Sequence, residues 1–141
     1  MAETAMLKKP FILTKPLEAY KGSYFSEVFV WKAGTPPVAV DISGYHFEAM
    51  FRDSYGATDI IKTLTDGDGL ILTEAEGKVE MVLQTTDTDL FNVTLTASKS
   101  ASDIPYKDFP FDIDAIPPDN AKRFQFVKGV LRVYGEVTRS G

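Results

Sequence analysis

The chain of 141 residues contains no cysteine and a single histidine, His46. Without cysteine it can form no disulfide, no thiolate metal site and no cysteine nucleophile. A Ser-His-Asp triad would depend on His46, and no G-x-S-x-G motif lies near it. Residue alternation places His46 on the outer side of a strand, which is typical of a solvated or interface histidine. We therefore expect no catalytic site and no enzyme activity.

Long apolar runs and basic clusters are also missing. No stretch approaches the roughly 18 apolar residues of a membrane-spanning helix. The opening MAETAMLKKPFILTKP has no apolar core of signal-peptide length, because Lys8, Lys9 and Pro10 interrupt it. The 15 Lys and Arg against 20 Asp and Glu give a net charge of −5, which disfavours binding to a phosphate backbone. We expect cytoplasmic synthesis, and neither nucleic acid nor membrane as a partner.

The positive signal is the alternation of apolar and polar residues near the end of the chain. Phe109 to Ala115 alternates with a period of two, and a second alternating stretch, RFQFVKGVLRVYGEVTR, follows the polar turn PPDNAK. Gly129 interrupts this second stretch and predicts a β-bulge there. The two stretches predict a central antiparallel hairpin.

Shorter segments extend this pattern through the chain. SGYHFEAMFRD and KVEMVLQ alternate cleanly, YFSEVFVW carries apolar residues on both faces, and TTDTDLF predicts a helical turn. A strand that is apolar on both faces indicates a second layer or a partner. We predict an all-β fold, an antiparallel immunoglobulin-like β-sandwich of about seven to nine strands with one short helical turn. The predicted core contains Phe47, Phe51, Val79, Met81, Leu83, Phe111, Ile113, Phe124, Leu131 and Val133.

Two groups of acidic residues are candidates for a site of chemistry. The turn from Asp66 to Gly69 resembles a calcium loop, but Leu70 and Ile71 occupy the positions that require a ligand and a glycine. Asp112 and Asp114 could form the carboxylate pair of a glycoside hydrolase, but alternating acids on the solvent face of a strand are ordinary. We predict no metal site and no cofactor.

The chain divides into an extended N-terminal arm, residues 1–20, and a β-sandwich domain, residues 21–141. In the arm, Phe11, Ile12 and Leu13 are apolar residues next to two prolines, and such a segment can add as a strand to the sheet of a neighbouring protein. The alternative is an arm that lies on its own sandwich. Trp31 and Tyr134 complete the candidate interface, because strand parity leaves them exposed or at a contact.

The order of these segments resembles short β-sandwich structural proteins of tailed phages and prophages, and is similar to the N-terminal domain of phage baseplate upper proteins. The resemblance covers about Lys21 to Arg139. It depends on the opening DISGY (41–45), the strand KGVLRV (128–133) and the ending EVTR (136–139). The chain departs from the family in the longer segment Asn92 to Lys107 and in Tyr134-Gly135, where small residues or proline are common.

The resemblance implies a non-enzymatic virion protein that acts as a tail or baseplate adaptor and joins larger tail or receptor-binding proteins. The implied partners are other phage structural proteins, with a homo-oligomer within the particle. Two alternatives stay open: a carbohydrate-binding module that uses exposed aromatic rings, and a virion-surface decoration or fibre-anchoring protein.

Overall fold

The computed structural model describes residues 11–93, 98–99, 104–119 and 122–135. A single helical turn, α1 (Thr85–Thr88), and a 3₁₀ turn (Glu74–Glu76) occur among these residues. All other regular elements in this part of the chain are strands. They are β1 (Phe11–Ile12), β2 (Leu17–Tyr20), β3 (Phe25–Val30), β4 (Lys32–Ala33), β5 (Val38–Ala39), β6 (His46–Arg52), β7 (Ile60–Asp66), β8 (Gly69–Thr73), β9 (Lys78–Leu83), β10 (Ser98–Lys99), β11 (Pro105–Ile116) and β12 (Phe124–Tyr134).

A single sheet contains ten of these strands, in the order β1-β12-β11-β6-β7-β8-β9-β3, with β2 also beside β12 and β10 beside β11. Strands β4 and β5 form a separate hairpin. The predicted all-β fold is confirmed. The prediction of a purely antiparallel sheet is wrong, because β1 and β2 run parallel to β12 and β7 runs parallel to β8. The sheet is therefore mixed.

The sheet curls so that its two ends face each other. The pairing between β7 and β8 consists of Thr65 with Gly69 and Asp66 with Leu70, so this junction is short enough to bend. Strands β2 and β3 belong to opposite ends of the strand order, yet only the loop 21–24 connects them. Since so short a loop spans at most about 17 Å, the two ends lie close together.

The core lies between the two halves of the curled sheet. Nine of the ten predicted core residues are buried, and Phe124 is partly buried against them. Aromatic rings connect the halves: the ring centroid of Trp31, just after β3, is 5.9 Å from that of Phe126 in β12. Phe91, which follows α1, packs edge-on against Phe51 and Phe109. The strand parity read from the sequence thus identified the inner face of the sheet.

The central hairpin is confirmed, but its bulge is not at Gly129. The register shifts where Ile113 pairs with Val127 and Asp114 pairs with Gln125, so the extra residue is Phe126. Phe126 and Val127 are consequently both buried although they are adjacent. Gly129 pairs regularly, and its lack of a side chain leaves room for the N-terminal segment. A Cβ at this position would lie 2.7 Å from Leu13 Cδ1.

Residues 11–20, expected as part of an extended arm, lie along β12 of their own sheet. Strand β1 pairs with Val127 and Lys128, and β2 pairs with residues 131–134. The N–H of Leu13 also donates a hydrogen bond to the carbonyl of Lys128, at 3.0 Å. For residues 11–20 the structure therefore shows an arm that lies on its own domain, which is the alternative to docking on a neighbouring protein. Residues 1–10, the rest of the predicted arm, lie outside the described residues.

Candidate interaction surface

The structure separates the five predicted interface residues into two groups. Phe11 and Ile12 are exposed on the edge strand β1. Leu13 packs against the core, and Trp31 and Tyr134 are buried, with exposed fractions of 7% and 9%. The expectation that Trp31 and Tyr134 are available to a partner is therefore wrong for the isolated chain.

Trp31 is buried because it continues the inner face of β3. Phe29, two residues earlier, is buried on the same side, as the period of a strand requires. The indole ring contacts Tyr45 and Phe124 edge-on, with centroid distances of 5.8 and 5.9 Å. Trp31 therefore holds the two halves of the curled sheet together.

Tyr134 lies on the outer face of β12, as its parity predicts, but neighbouring strands cover it. The ring of Tyr20 stacks on it at 5.1 Å, and Tyr106 contacts it at 5.6 Å. The hydroxyl of Tyr134 donates a hydrogen bond to Glu18, at 3.1 Å. Burial, and then this carboxylate, raise the pKa of Tyr134 above its usual value. The outer face of β2, β12 and β11 therefore carries a compact tyrosine cluster rather than an isolated ring.

Another apolar surface, which the predicted interface residues do not include, lies on the outer side of β8, β9 and β3. Val28, Val30 and Ile71 are exposed there by 47%, 42% and 53%. Two charged residues of β9 lie among them: Glu80 is directly between Val28 and Ile71, and Lys78 is opposite Val30. The side chain of Val82 lies between β8 and β3 on the same side and is buried. An open cleft of about 480 Å³ lies at one end of this side, where Ile71 and Val82 meet the turn 66–69. We call Val28, Val30, Ile71 and Val82 the β3 face.

The sequence contained a signal for the β3 face in YFSEVFVW, whose apolar residues fall on both sides of a strand. One side, with Phe29 and Trp31, is in the core. The other side, with Val28 and Val30, is exposed, and no described residue buries it. A strand that is apolar on both faces indicates either a second layer of the fold or a partner. The second layer covers only the inner side of β3 and leaves Val28 and Val30 uncovered.

The outer face of β6, β11 and β12 is polar and crossed by ion pairs. Arg123 bridges Glu48 of β6 and Asp114 of β11. Arg132 donates two hydrogen bonds to Asp108, at 2.8 and 3.1 Å. Such exposed pairs contribute little to stability, but they fix the positions of the side chains they contain. Asp114 is therefore engaged with arginine and does not form a carboxylate pair with Asp112.

Asp112 differs from these acids. It lies directly between Met50 of β6 and Lys128 of β12. Partial burial, and next the charge of Asp114, raise the pKa of Asp112, and the positive charges of Arg52 and Lys128 offset only part of this. A cleft of about 190 Å³ opens at this point. The carboxylate is thus held in an environment that disfavours its charged form.

His46 lies on the outer side of β6, as predicted, where it contacts the acidic turn. Its Nδ1 is 3.0 Å from Asp66 Oδ2, and the N–H of Phe47 donates to Asp66 Oδ1 at 2.9 Å. Burial alone would raise the pKa of Asp66, but these hydrogen bonds outweigh it and lower the pKa. Asp66 therefore fixes the position of the start of β6.

The residues that the structure describes contain no group of three or more His, Cys, Asp or Glu side chains placed to hold a metal ion. In the same ranges, no helix has the length and apolar character needed to cross a membrane. Neither a scan against protein-family models nor a search of curated proteins finds a match to this chain.

Proposed function

We propose that this chain is a non-enzymatic structural protein of a tailed-phage virion, an adaptor that joins larger tail or receptor-binding proteins. In this proposal its curled sheet is a variant of the immunoglobulin-like β-sandwich found in the N-terminal domain of baseplate upper proteins. The protein works within the particle, as a homo-oligomer among other phage structural proteins. The observation that supports an adaptor best is the β3 face.

The β3 face supports a protein contact because it exposes three aliphatic side chains on one side of a regular sheet. Full burial of one such side chain contributes about 1.5–3 kcal/mol, so burying the exposed halves of Val28, Val30 and Ile71 contributes on the order of 2–4 kcal/mol. At about 1.4 kcal/mol for each tenfold change, this corresponds to roughly a 30- to 1,000-fold gain in affinity. The surface can therefore anchor a partner, but burial of the two charged β9 residues among these side chains reduces the gain unless the partner pairs them.

In this proposal the partner packs on the outer face of the sheet and does not add a strand to its edge. β3 ends the strand order, so its outer edge could accept another strand. However, Glu27 points to the inner side of this edge strand and is half-buried. An inward-pointing charge is a feature that opposes further strand pairing. The partner surface that fits is an apolar patch that packs on Val28, Val30 and Ile71 and carries polar groups opposite the two charged β9 residues between them.

The test is incorporation of tagged variants into particles of the phage that encodes the chain. In the double variant Val28→Lys, Val30→Glu, each new charge lies opposite a β9 residue of the other sign, Glu80 or Lys78, so the domain should fold with a melting temperature within a few degrees of the wild type. Its amount in purified particles should fall at least about tenfold. Leu90→Glu is the matched control, because Leu90 is similarly exposed and lies outside the β3 face.

The proposal fails if the double variant is folded and enters particles as well as the Leu90→Glu control does. It also fails if the wild-type protein is absent from particles. Sedimentation velocity of the purified wild-type protein tests the homo-oligomer separately. A monomer at every concentration tested would contradict a homo-oligomer that forms without partner proteins.

A further inference from the structure

The outer side of β8, β9 and β3 carries both signs of charge in a regular pattern. Two rows of side chains cross these strands, and each row has one charged residue on the central strand, β9. The first row is Val28, Glu80 and Ile71, and the second is Val30, Lys78 and Thr73. Burial of an unpaired charge is unfavourable. A partner that covers the β3 face therefore has to place a positive group opposite Glu80 and a negative group opposite Lys78.

The same face on a second copy of this chain meets that requirement. A two-fold axis that lies between two such faces, across the strands and midway between the rows, places the first row of one copy on the second row of the other. Glu80 then faces the partner's Lys78, and Val28 packs on the partner's Val30. Because such an interface uses the same patch on both copies, each contact occurs twice. The charges pair while the aliphatic side chains are buried.

The charged contacts lie where this packing tolerates twist best. Packed sheets are rotated by about 30° relative to each other, and the rotation displaces a side chain in proportion to its distance from the centre of the contact. Glu80 and Lys78 are on β9, the middle strand of the three, so the rotation moves them least. Lys78 also pairs with Glu76 of its own chain, at 3.0 Å. Its ammonium carries three donors and can bind a second carboxylate.

We infer that the β3 face binds the β3 face of a second copy, and that the chain forms a two-fold dimer in which Glu80 pairs with the partner's Lys78. This inference rests on the proposed function, because it names the partner of the surface that supports that function. The three strands have six, five and six residues, so the face covers roughly 15 Å by 18 Å. A standard interface is larger and buries roughly 800 Å² on each partner. The dimer should therefore be weak, with a Kd between roughly 10 μM and 1 mM.

The experiment is sedimentation velocity of the purified full chain and of charge-reversed variants, at concentrations up to about 1 mM. The wild type should show a reversible equilibrium between monomer and dimer. Lys78→Glu places two glutamates opposite each other at both symmetric contacts, and Glu80→Lys places two lysines there. Each variant should raise the Kd of the dimer at least about fivefold. Thermal melts should show that each variant is folded.

The double variant Lys78→Glu, Glu80→Lys separates a second copy from any other partner. It restores opposite charges between two identical faces, so its Kd should return to within about threefold of the wild type. A mixture of the two single variants should form a heterodimer that is tighter than either homodimer, because every charged contact then joins a glutamate to a lysine. A face that binds a different protein gives neither result.

Lys15→Glu is the matched control, because Lys15 is exposed between β1 and β2 and the substitution changes the net charge by the same amount as Lys78→Glu. It should leave the Kd within about twofold of the wild type. The inference is overturned if the wild type stays monomeric up to about 1 mM. It is also overturned if Lys78→Glu weakens the dimer no more than Lys15→Glu does, or if the double charge reversal is weaker than both single variants.

The dimer and the adaptor role can fail separately. In Val28→Lys, Val30→Glu the dimer should weaken at least about tenfold, because exposed ion pairs contribute much less than the burial of aliphatic side chains. If the wild type is monomeric but this double variant still fails to enter particles, the dimer is refuted and the adaptor role stands. If the dimer forms but the chain is absent from particles, the adaptor role is refuted and the contact between two copies stands.

Discussion

Leu13→Ala tests whether the N-terminal segment belongs to its own domain. Leu13 packs against the core above Gly129, which leaves room for it. The change removes three carbons from a half-buried side chain, and at about 0.8 kcal/mol for each fully buried CH₂ it should lower the free energy of unfolding by about 1–2 kcal/mol. For a domain of this size, the melting temperature should fall by about 3–7 °C.

Ile12→Ala is the matched control for this change. Ile12 is the adjacent aliphatic residue, also beside β12, but it is exposed. Its truncation should change the free energy of unfolding by less than about 0.5 kcal/mol. Urea unfolding of both variants, followed by tryptophan fluorescence of Trp31, gives the comparison. Equal stabilities for the two variants would refute the docking of this segment on its own sheet.

Three further predictions concern single positions. Gly77→Ala should destabilise the domain by about 3–5 kcal/mol, because Gly77 has a positive φ and a Cβ would lie 2.7 Å from two backbone oxygens. Gly67 also has a positive φ, but a Cβ there would meet open space. Gly67→Ala should therefore destabilise the domain by only about 1–2 kcal/mol in the same thermal melt. Asp112 has a raised pKa, so its ionisation opposes folding and stability is lost as the pH rises through the carboxyl range. Asp112→Asn should therefore raise the melting temperature near neutral pH and have little effect at pH values below the ordinary carboxyl pKa, and a lower melting temperature at neutral pH would contradict this. Asp66 has a lowered pKa, so its contribution to the stability of the domain is present above the ordinary carboxyl pKa and is lost as the pH falls through the pKa of the folded state. Asp66→Asn should therefore lower the melting temperature at neutral pH. A loss of melting temperature that persists unchanged in acid would refute this role of Asp66.

The strongly periodic parts of the fold could be read from the sequence. Phe47 and Phe51, on a strand with clean alternation, are in the core as predicted. Strands of two to four residues, such as β1 and β2, are too short to carry a period, so their parallel pairing with β12 was not predicted. Glycine is the usual signal of a bulge and predicts one at Gly129, whereas the extra residue, Phe126, is apolar and leaves no break in the composition.

The candidate interface was predicted less well, because strand parity gives the side of a sheet but not what covers it. Tyr134 is on the predicted side, yet Tyr20 and Tyr106 bury it from strands distant in sequence. Trp31 is a residue type typical of contact surfaces, but it shares the parity of Phe29 and is inside. The raised pKa of Asp112 depends on its partial burial between Met50 and Lys128, which only the folded sheet determines.

The proposed adaptor role is tested most directly by imaging intact phage particles produced by cells that express the chain, at a resolution that traces side chains. We predict that the chain is present in the tail or baseplate and that a neighbouring virion protein covers Val28, Val30 and Ile71. A particle that lacks the chain, or one in which the β3 face is open to solvent in every copy, would contradict the account.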